Sequence, residues 1–218
     1  MLMHQLYQKR IIPVAAVNSA EEALGLCDAL AAGGLTILEI TLRTEGAIRA
    51  IAEAAKRYPS MLIGAGTIMS PAQVTRACEA GAQFGVSPGI DADIVAQAQA
   101  HALPFIPGVM TPAEVQRGLG MGCTLLKFFP AEAAGGTAML KALDGPFKST
   151  GVKFIPLGGV GPANARDYLN MSNVAAIGGS WLARPSLIEG RKWKEITAKA
   201  QQALQMVAEA QQANPLSA

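Results

Sequence analysis

The chain contains no run of basic residues interleaved with aromatics, which removes the usual footprint of a nucleic-acid binder. Aromatics make up only 5% of its 218 residues, and the net charge of +2 is too small to argue for a polyanionic partner. Cysteine is equally sparse. Cys27, Cys78 and Cys123 are odd in number, far apart and without metal-type spacing. This pattern excludes a disulfide framework and predicts free thiols packed as small hydrophobes in a reducing compartment. The two histidines, His4 and His101, read as surface side chains, and no His/Cys/carboxylate cluster has the spacing of a metal site. The opening "MLMHQLYQKR" has no apolar segment of the signal-peptide kind. The longest uncharged stretch, between Asp93 and Glu114, holds Gln97, Gln99, His101 and three prolines, which makes it a poor membrane span. The expectation is a soluble cytoplasmic protein with neither nucleic acid nor membrane as partner.

What the chain does have is apolar mass and glycine: 50% hydrophobic residues and 23 glycines, enough for a sizeable core. Short β-type runs alternate with alanine-rich segments of helical period along the whole length. The strand candidates are 11–17, 35–42, 62–68, 84–89, 104–110, 125–130, 154–159 and 175–180. The helix candidates are 20–32, 45–57, 71–80, 91–101, 112–119, 137–144, 162–170 and 188–212. Ser19, Ser70 with Pro71, and Thr111 with Pro112 supply start signals. Eight strand–helix units predict a parallel sheet with right-handed crossovers, and eight is the number that closes a (β/α)₈ barrel. The expected fold is therefore α/β: one (β/α)₈ domain over residues 1–218, with the first ten residues as a short helical cap. A doubly wound open sheet is the alternative, though the first βα turn lacks a G-x-G-x-x-G fingerprint.

Against this pattern, "LLKFFP" (125–130) puts a lysine among apolar neighbours in a core strand. Side chains alternate faces, so Leu125, Lys127 and Phe129 share one face and Leu126 and Phe128 the other. In "ILEITLR" the same phasing places Ile37, Glu39, Thr41 and Arg43 together, with Leu38, Ile40 and Leu42 opposite. Buried charge of this kind is either a structural ion pair or a reactive site. Lysine buried beside another cation loses proton affinity, and a neutral amine can attack a carbonyl to form an imine. "PLGGV" (156–160) and "IGGSW" (177–181) end the seventh and eighth strand candidates. Loops there are the recurrent phosphate site of such barrels, where glycine backbone and a helix N-terminus meet the anion. "GAGT" (64–67), "SPG" (87–89) and "PG" (107–108) either shape the mouth around a small keto acid or are turn chemistry.

Taken together, "LEITLRT", "GAGT", "GAQFGVSPG", "PFIPGVMTPAE", "LKFFPAE", "PLGGVGPAN" and "IGGSWL" resemble the 2-keto-3-deoxy-6-phosphogluconate (KHG/KDPG) aldolase family, in order and over nearly the whole chain. The resemblance implies a class I, metal-independent and cofactor-free aldolase, usually a homotrimer, of the Entner–Doudoroff pathway. Its substrate is a phosphorylated keto-deoxy sugar acid, cleaved to pyruvate and glyceraldehyde 3-phosphate, with 4-hydroxy-2-oxoglutarate as a further candidate. By motif it makes Lys127 the Schiff-base residue and Glu39 the proton-transfer group. Arg43 and Thr67 would hold the carboxylate end, Phe129 would line the pocket, and Gly158, Gly159, Gly179 and Ser180 would take the phosphate. Leu157 departs from the threonine often found before the seventh-strand glycine pair. In this it resembles the sister enzyme for the C4 epimer, 2-keto-3-deoxy-6-phosphogalactonate. A phosphate-binding isomerase or epimerase with Glu39 as base, and a non-catalytic phosphosugar-binding barrel, are the readings from other classes.

Overall fold

A computed structural model describes residues 2–213. It begins with α1 (Leu2–Lys9), then β1 (Ile11–Ala15), α2 (Ala20–Ala32), β2 (Ile37–Thr41), α3 (Ala47–Arg57) and β3 (Leu62–Gly66). α4 (Pro71–Glu79), β4 (Phe84–Val86), α5 (Ala92–Ala100), β5 (Phe105–Ile106), β6 (Gly108–Val109) and α6 (Pro112–Gly120) follow. The remainder is β7 (Leu125–Phe128), α7 (Gly136–Phe147), β8 (Lys153–Pro156), α8 (Ala165–Leu169), β9 (Ile177–Gly179), α9 (Pro185–Glu189) and α10 (Trp193–Ala213). The start signals act as expected. Ser19 Oγ accepts from the Glu22 N–H and Ser70 Oγ from the Gln73 N–H, while Thr111 and Glu114 form a reciprocal capping box.

All strand pairs are parallel, in a six-stranded sheet ordered β5-β4-β3-β2-β1-β9 and a three-stranded sheet ordered β6-β7-β8. Consecutive strands are neighbours from β1 to β5, without the reversal of order that a doubly wound sheet requires. The fifth strand candidate, 104–110, is broken into β5 and β6 by Pro107, which has no N–H to give the ladder. The seventh, 154–159, stops at Pro156, because Gly158 and Gly159 both take left-handed backbone (φ +96° and +82°). The long C-terminal helix candidate is two helices, α9 and α10, parted at Gly190 and at Arg191 (φ +49°). The His4 side chain lies outside the described residues. His101 ends α5 with Nε2 at 3.1 Å from Gln97 Nε2 and 3.4 Å from Thr75 Oγ1.

The two faces of the strands feed two separate apolar clusters. Leu38, Ile40, Ile63, Leu126, Phe128 and Phe154 pack with the helices. Ile12, Ile37, Leu62, Phe84, Ile106, Leu125 and Ile155 form a second cluster, together with Leu2 and Leu6 of α1. Alternation then fixes where the charges point. Lys127 shares its face with Leu125, and Glu39 with Ile37, so both belong to the second cluster's side of the sheet, Lys127 near the carboxyl end of β7 and Glu39 in the middle of β2.

Candidate active site

Glu39 and Lys127 are almost wholly buried, at 1% and 5% exposure. Burial costs the charged form of each. Desolvation pushes the Glu39 carboxyl above its usual range, with Lys127 and then Arg43 pulling it part of the way back. Desolvation also brings Lys127 below the ordinary lysine value; Glu39 opposes this and Arg43 adds to it. Both directions favour a neutral amine beside a neutral carboxyl. Among the described residues the ion pairs within 4.0 Å are Arg166–Glu209, Arg191–Glu21 and Lys199–Glu195. The structural ion pair of Glu39 with Lys127 or Arg43 is therefore not formed. Glu39 Oε1 is fully buried and has no hydrogen-bond partner among them, which is costly in a core unless a reacting group supplies one. Lys127 Nζ sits 4.7 Å from the centroid of the Phe129 ring, whose face stabilises a cation once one forms there.

The backbone around these groups explains their positions. Glu39 is paired with Gly64 across β2 and β3, and Thr41 with Gly66. A Cβ on Gly66 would stand 2.0 Å from Glu39 Oε1 and 2.7 Å from Cδ and Cγ, so the missing side chain is the space the carboxyl occupies. Gly64 does the same for the Phe84 ring, 2.3 Å from a Cβ there. "GAGT" is thus a pair of seats for neighbouring side chains rather than turn chemistry. Sequence reasoning passed over Gly66, although two glycines at the inner positions of a core strand were the available signal. Thr67, just beyond β3, is half-buried at φ +57°, a strained conformation for a β-branched residue and one that clusters at functional sites.

Arg43 leaves the strand but keeps the face that phasing gives it. The strand ends at Thr41, and Arg43 lies beyond it in a turn, exposed. A relay still ties it to the strand: Arg43 Nε donates to Thr41 Oγ1 at 3.1 Å, and Thr41 Oγ1 donates to the Ala15 carbonyl at 3.1 Å. Arg43 lines a hollow of about 380 Å³ with Gln73 and Arg76.

At the ends of β8 and β9, Leu157 reaches across so that its Cδ1 lies 2.2 Å from where a Cβ of Gly178 would be. The inward position of "IGGSW" is therefore Gly178; Gly179 faces Ile11 and Leu182 and offers only its backbone. Ser180 is exposed and opens a 3₁₀ turn (Ser180–Ala183), and α8 is only five residues long. The paired left-handed glycines after β8 present backbone N–H groups. Gly158 and Gly159 donate from those N–H groups to no described residue. Thr67 and Ser180 stand at the same end of the sheet without a hydrogen bond to the other site side chains. Among the described residues no group of three His, Cys, Asp or Glu is placed to hold a metal ion. No helix among them is long and apolar enough to cross a membrane.

Fold and site together define a class: a parallel α/β protein with an amine and a carboxyl buried on one face of its strands, the pair of groups that imine chemistry requires. The comparisons with known proteins give the family. Residues 2–199 match the KDPG and KHG aldolase family. The KHG/KDPG aldolase of Escherichia coli K12 is 44% identical over 195 residues, covering 89% of this chain and 91% of that protein. The KDPG aldolase of Legionella pneumophila, solved with pyruvate captured as a covalent carbinolamine, superposes with a TM-score of 0.89 at 41% identity, covering 93% of this chain and 98% of that one. The 2-keto-3-deoxy-6-phosphogluconate aldolase of Zymomonas mobilis, solved with 3-phosphoglycerate, gives 0.83 at 37%, covering 92% and 93%. The chain belongs to the KDPG and KHG aldolase family. It is an enzyme, which sets aside the non-catalytic reading.

Proposed function

We propose that this chain cleaves 2-keto-3-deoxy-6-phosphogluconate to pyruvate and glyceraldehyde 3-phosphate through an imine on Lys127. It splits 4-hydroxy-2-oxoglutarate to pyruvate and glyoxylate by the same steps. The observation that carries the reading is the buried amine beside a buried, unpartnered carboxyl. Burial lowers the proton affinity of one and raises that of the other. The activities named for the relatives agree with it.

The neutral Lys127 amine attacks the C2 ketone, and the amine proton passes to the new hydroxyl. Glu39, neutral at the outset, protonates that hydroxyl; water leaves, and a protonated imine faces a carboxylate. The new cation stabilises the carboxylate that Glu39 has become, so the same group then works as a base. It takes the C4 hydroxyl proton, the C3–C4 bond breaks, its electrons enter the imine, and the aldehyde leaves. Glu39 returns the proton to C3 and accepts one from the water that adds to C2. Collapse of the carbinolamine frees pyruvate and Lys127. Phe129 supports the cationic imine, Arg43 and Thr67 take the carboxylate, and the backbone of Gly158, Gly159 and Gly179 with Ser180 takes the phosphate.

The two sheets are read as one closed (β/α)₈ barrel in a single domain over residues 1–218, with α1 as its cap. Three features support closure: a fifth strand interrupted only at Pro107, a Phe154–Val174 bridge joining β8 to the approach of β9, and an inner cluster drawing on strands of both sheets. A cytoplasmic homotrimer in the Entner–Doudoroff pathway completes the reading. Leu157 favours a second substrate, the galactonate epimer, because an apolar side chain over Gly178 offers no hydroxyl to the middle of the substrate. Pyruvate release from both epimers and from 4-hydroxy-2-oxoglutarate tests the reading. Leu157→Thr is expected to move the epimer ratio toward the gluconate. An unchanged ratio removes position 157 from substrate choice, and no pyruvate from any of the three refutes the activity.

A further inference from the structure

The loop that follows β8 carries no regular hydrogen bonding of its own, yet it is tied down from two sides. On one side lies the loop after β7. The Ala131 N–H donates to the Leu157 carbonyl at 2.7 Å and the Glu132 N–H to the Gly158 carbonyl at 3.0 Å. These bonds turn the carbonyls of 157 and 158 toward β7's loop. A Cβ on Gly158 would stand 3.1 Å from Pro130 Cα, and one on Gly159 would stand 2.6 Å from Glu132 Cγ. The stem of Glu132 is therefore the floor on which Gly159 rests. On the other side, Asn164 Nδ2 donates to the Gly159 carbonyl at 3.2 Å, and Asn164 Oδ1 accepts from the Gly161 N–H at 2.8 Å.

Glu132 would be a poor floor if it moved, and the residue is exposed. One interaction holds it. Tyr168, on α8 and completely buried, donates its hydroxyl to Glu132 Oε1. Gly136, at φ +60°, leaves room for both, because a Cβ there would stand 3.2 Å from Glu132 Oε1 and 3.3 Å from the Tyr168 oxygen. Burial, with the Glu132 hydrogen bond adding to it, raises the Tyr168 phenol above its ordinary value, so it stays a donor.

We propose that Glu132, Tyr168 and Asn164 are positioning residues that hold the Gly158–Gly159 backbone with its two free N–H groups turned to the substrate's phosphate. The inference rests on the phosphate reading of this loop and adds the means by which the loop keeps its shape. The bracket is assigned to phosphate recognition, because none of its side chains hydrogen-bonds Lys127 or Glu39. Two left-handed residues in a row have many alternatives, and a loop free to sample them loses affinity by the fraction of time it spends elsewhere.

The test compares 2-keto-3-deoxy-6-phosphogluconate with its unphosphorylated twin, 2-keto-3-deoxygluconate. Tyr168→Phe and Glu132→Ala are each expected to raise KM for the phosphorylated acid about ten-fold, the size of one lost hydrogen bond. kcat/KM for the unphosphorylated acid is expected to hold, and so is the rate of borohydride trapping with pyruvate. Glu132→Gln keeps both the stem and an acceptor for Tyr168 and is expected to restore the KM. Equal losses on both substrates would overturn the proposal in favour of a merely structural role, and a phosphate preference untouched by either substitution would overturn it outright. The wild-type arm reads the underlying assignment separately: no preference for the phosphorylated acid there would overturn both.

Discussion

Gly66→Ala is the sharpest available perturbation of the site, because it touches no substrate and displaces one catalytic group. The new methyl would stand 2.0 Å from Glu39 Oε1, whereas ordinary contact begins at 3.4 Å. Glu39 is buried at 1% exposure, so it must retreat by more than an ångström into a packed surround. Overpacking of this kind costs ~1–3 kcal/mol of stability. A reacting group misplaced by about 1 Å loses on the order of 10²-fold in rate. The cost belongs to the pair, and a double-mutant cycle with Glu39→Ala isolates it. Glu39→Ala deletes all three atoms nearest the new methyl. In that background Gly66→Ala is expected to cost nothing in urea denaturation and to stabilise slightly through the less flexible unfolded chain. In the parent it costs the full amount, and kcat for pyruvate release falls about a hundred-fold. Equal destabilisation in both backgrounds, or full activity in Gly66→Ala, would refute the placement of Glu39 against β3.

Two further substitutions follow from the charges. Arg43 lowers the proton affinity of both Lys127 and Glu39, so Arg43→Gln raises both. Activity needs the amine neutral and the carboxyl protonated, so both limbs of the kcat/KM–pH profile are expected to move to higher pH, beyond any rise in KM; movement of either limb downward contradicts the electrostatics. Lys127→Met removes an amine whose folded-state proton affinity is depressed. Below the ordinary lysine value the unfolded parent binds more protons than the folded one, so the parent loses stability as pH falls through the folded value. The inactive variant is therefore expected to be the more stable at pH 7, an advantage that shrinks as pH rises toward the ordinary lysine value; thermal melts across pH measure it, and a constant difference contradicts the burial argument.

The strand–helix alternation was legible because each unit repeats the same apolar pattern between glycine, proline and serine signals. Lys127 and Glu39 were legible for a related reason. A charge inside an apolar strand stands out, and period-two phasing says which neighbours share its face. Phasing assumes the strand continues, and β2 ends two residues before Arg43, yet its side chain still meets Thr41 on the same face and its charge acts on Glu39 and Lys127. The interruption at Pro107 was readable in principle from the missing N–H, but the apolar run on either side outweighed it. Glycine hid the rest. Gly66 and Gly178 act by making room for Glu39 and Leu157, residues distant in sequence, and only a partner's position reveals such a role. The hydrogen bond from Tyr168 to Glu132 spans 36 residues and follows no spacing rule.

The central claim, that Lys127 is a neutral buried amine forming an imine with the keto acid, has a direct test. Sodium borohydride added with pyruvate should reduce the imine and leave a stable pyruvate-derived adduct, found by peptide mass spectrometry on the segment carrying Lys127. Activity should be lost in proportion, and borohydride alone should do neither. An unmodified Lys127 in the treated protein, or an adduct on another lysine, would contradict the account.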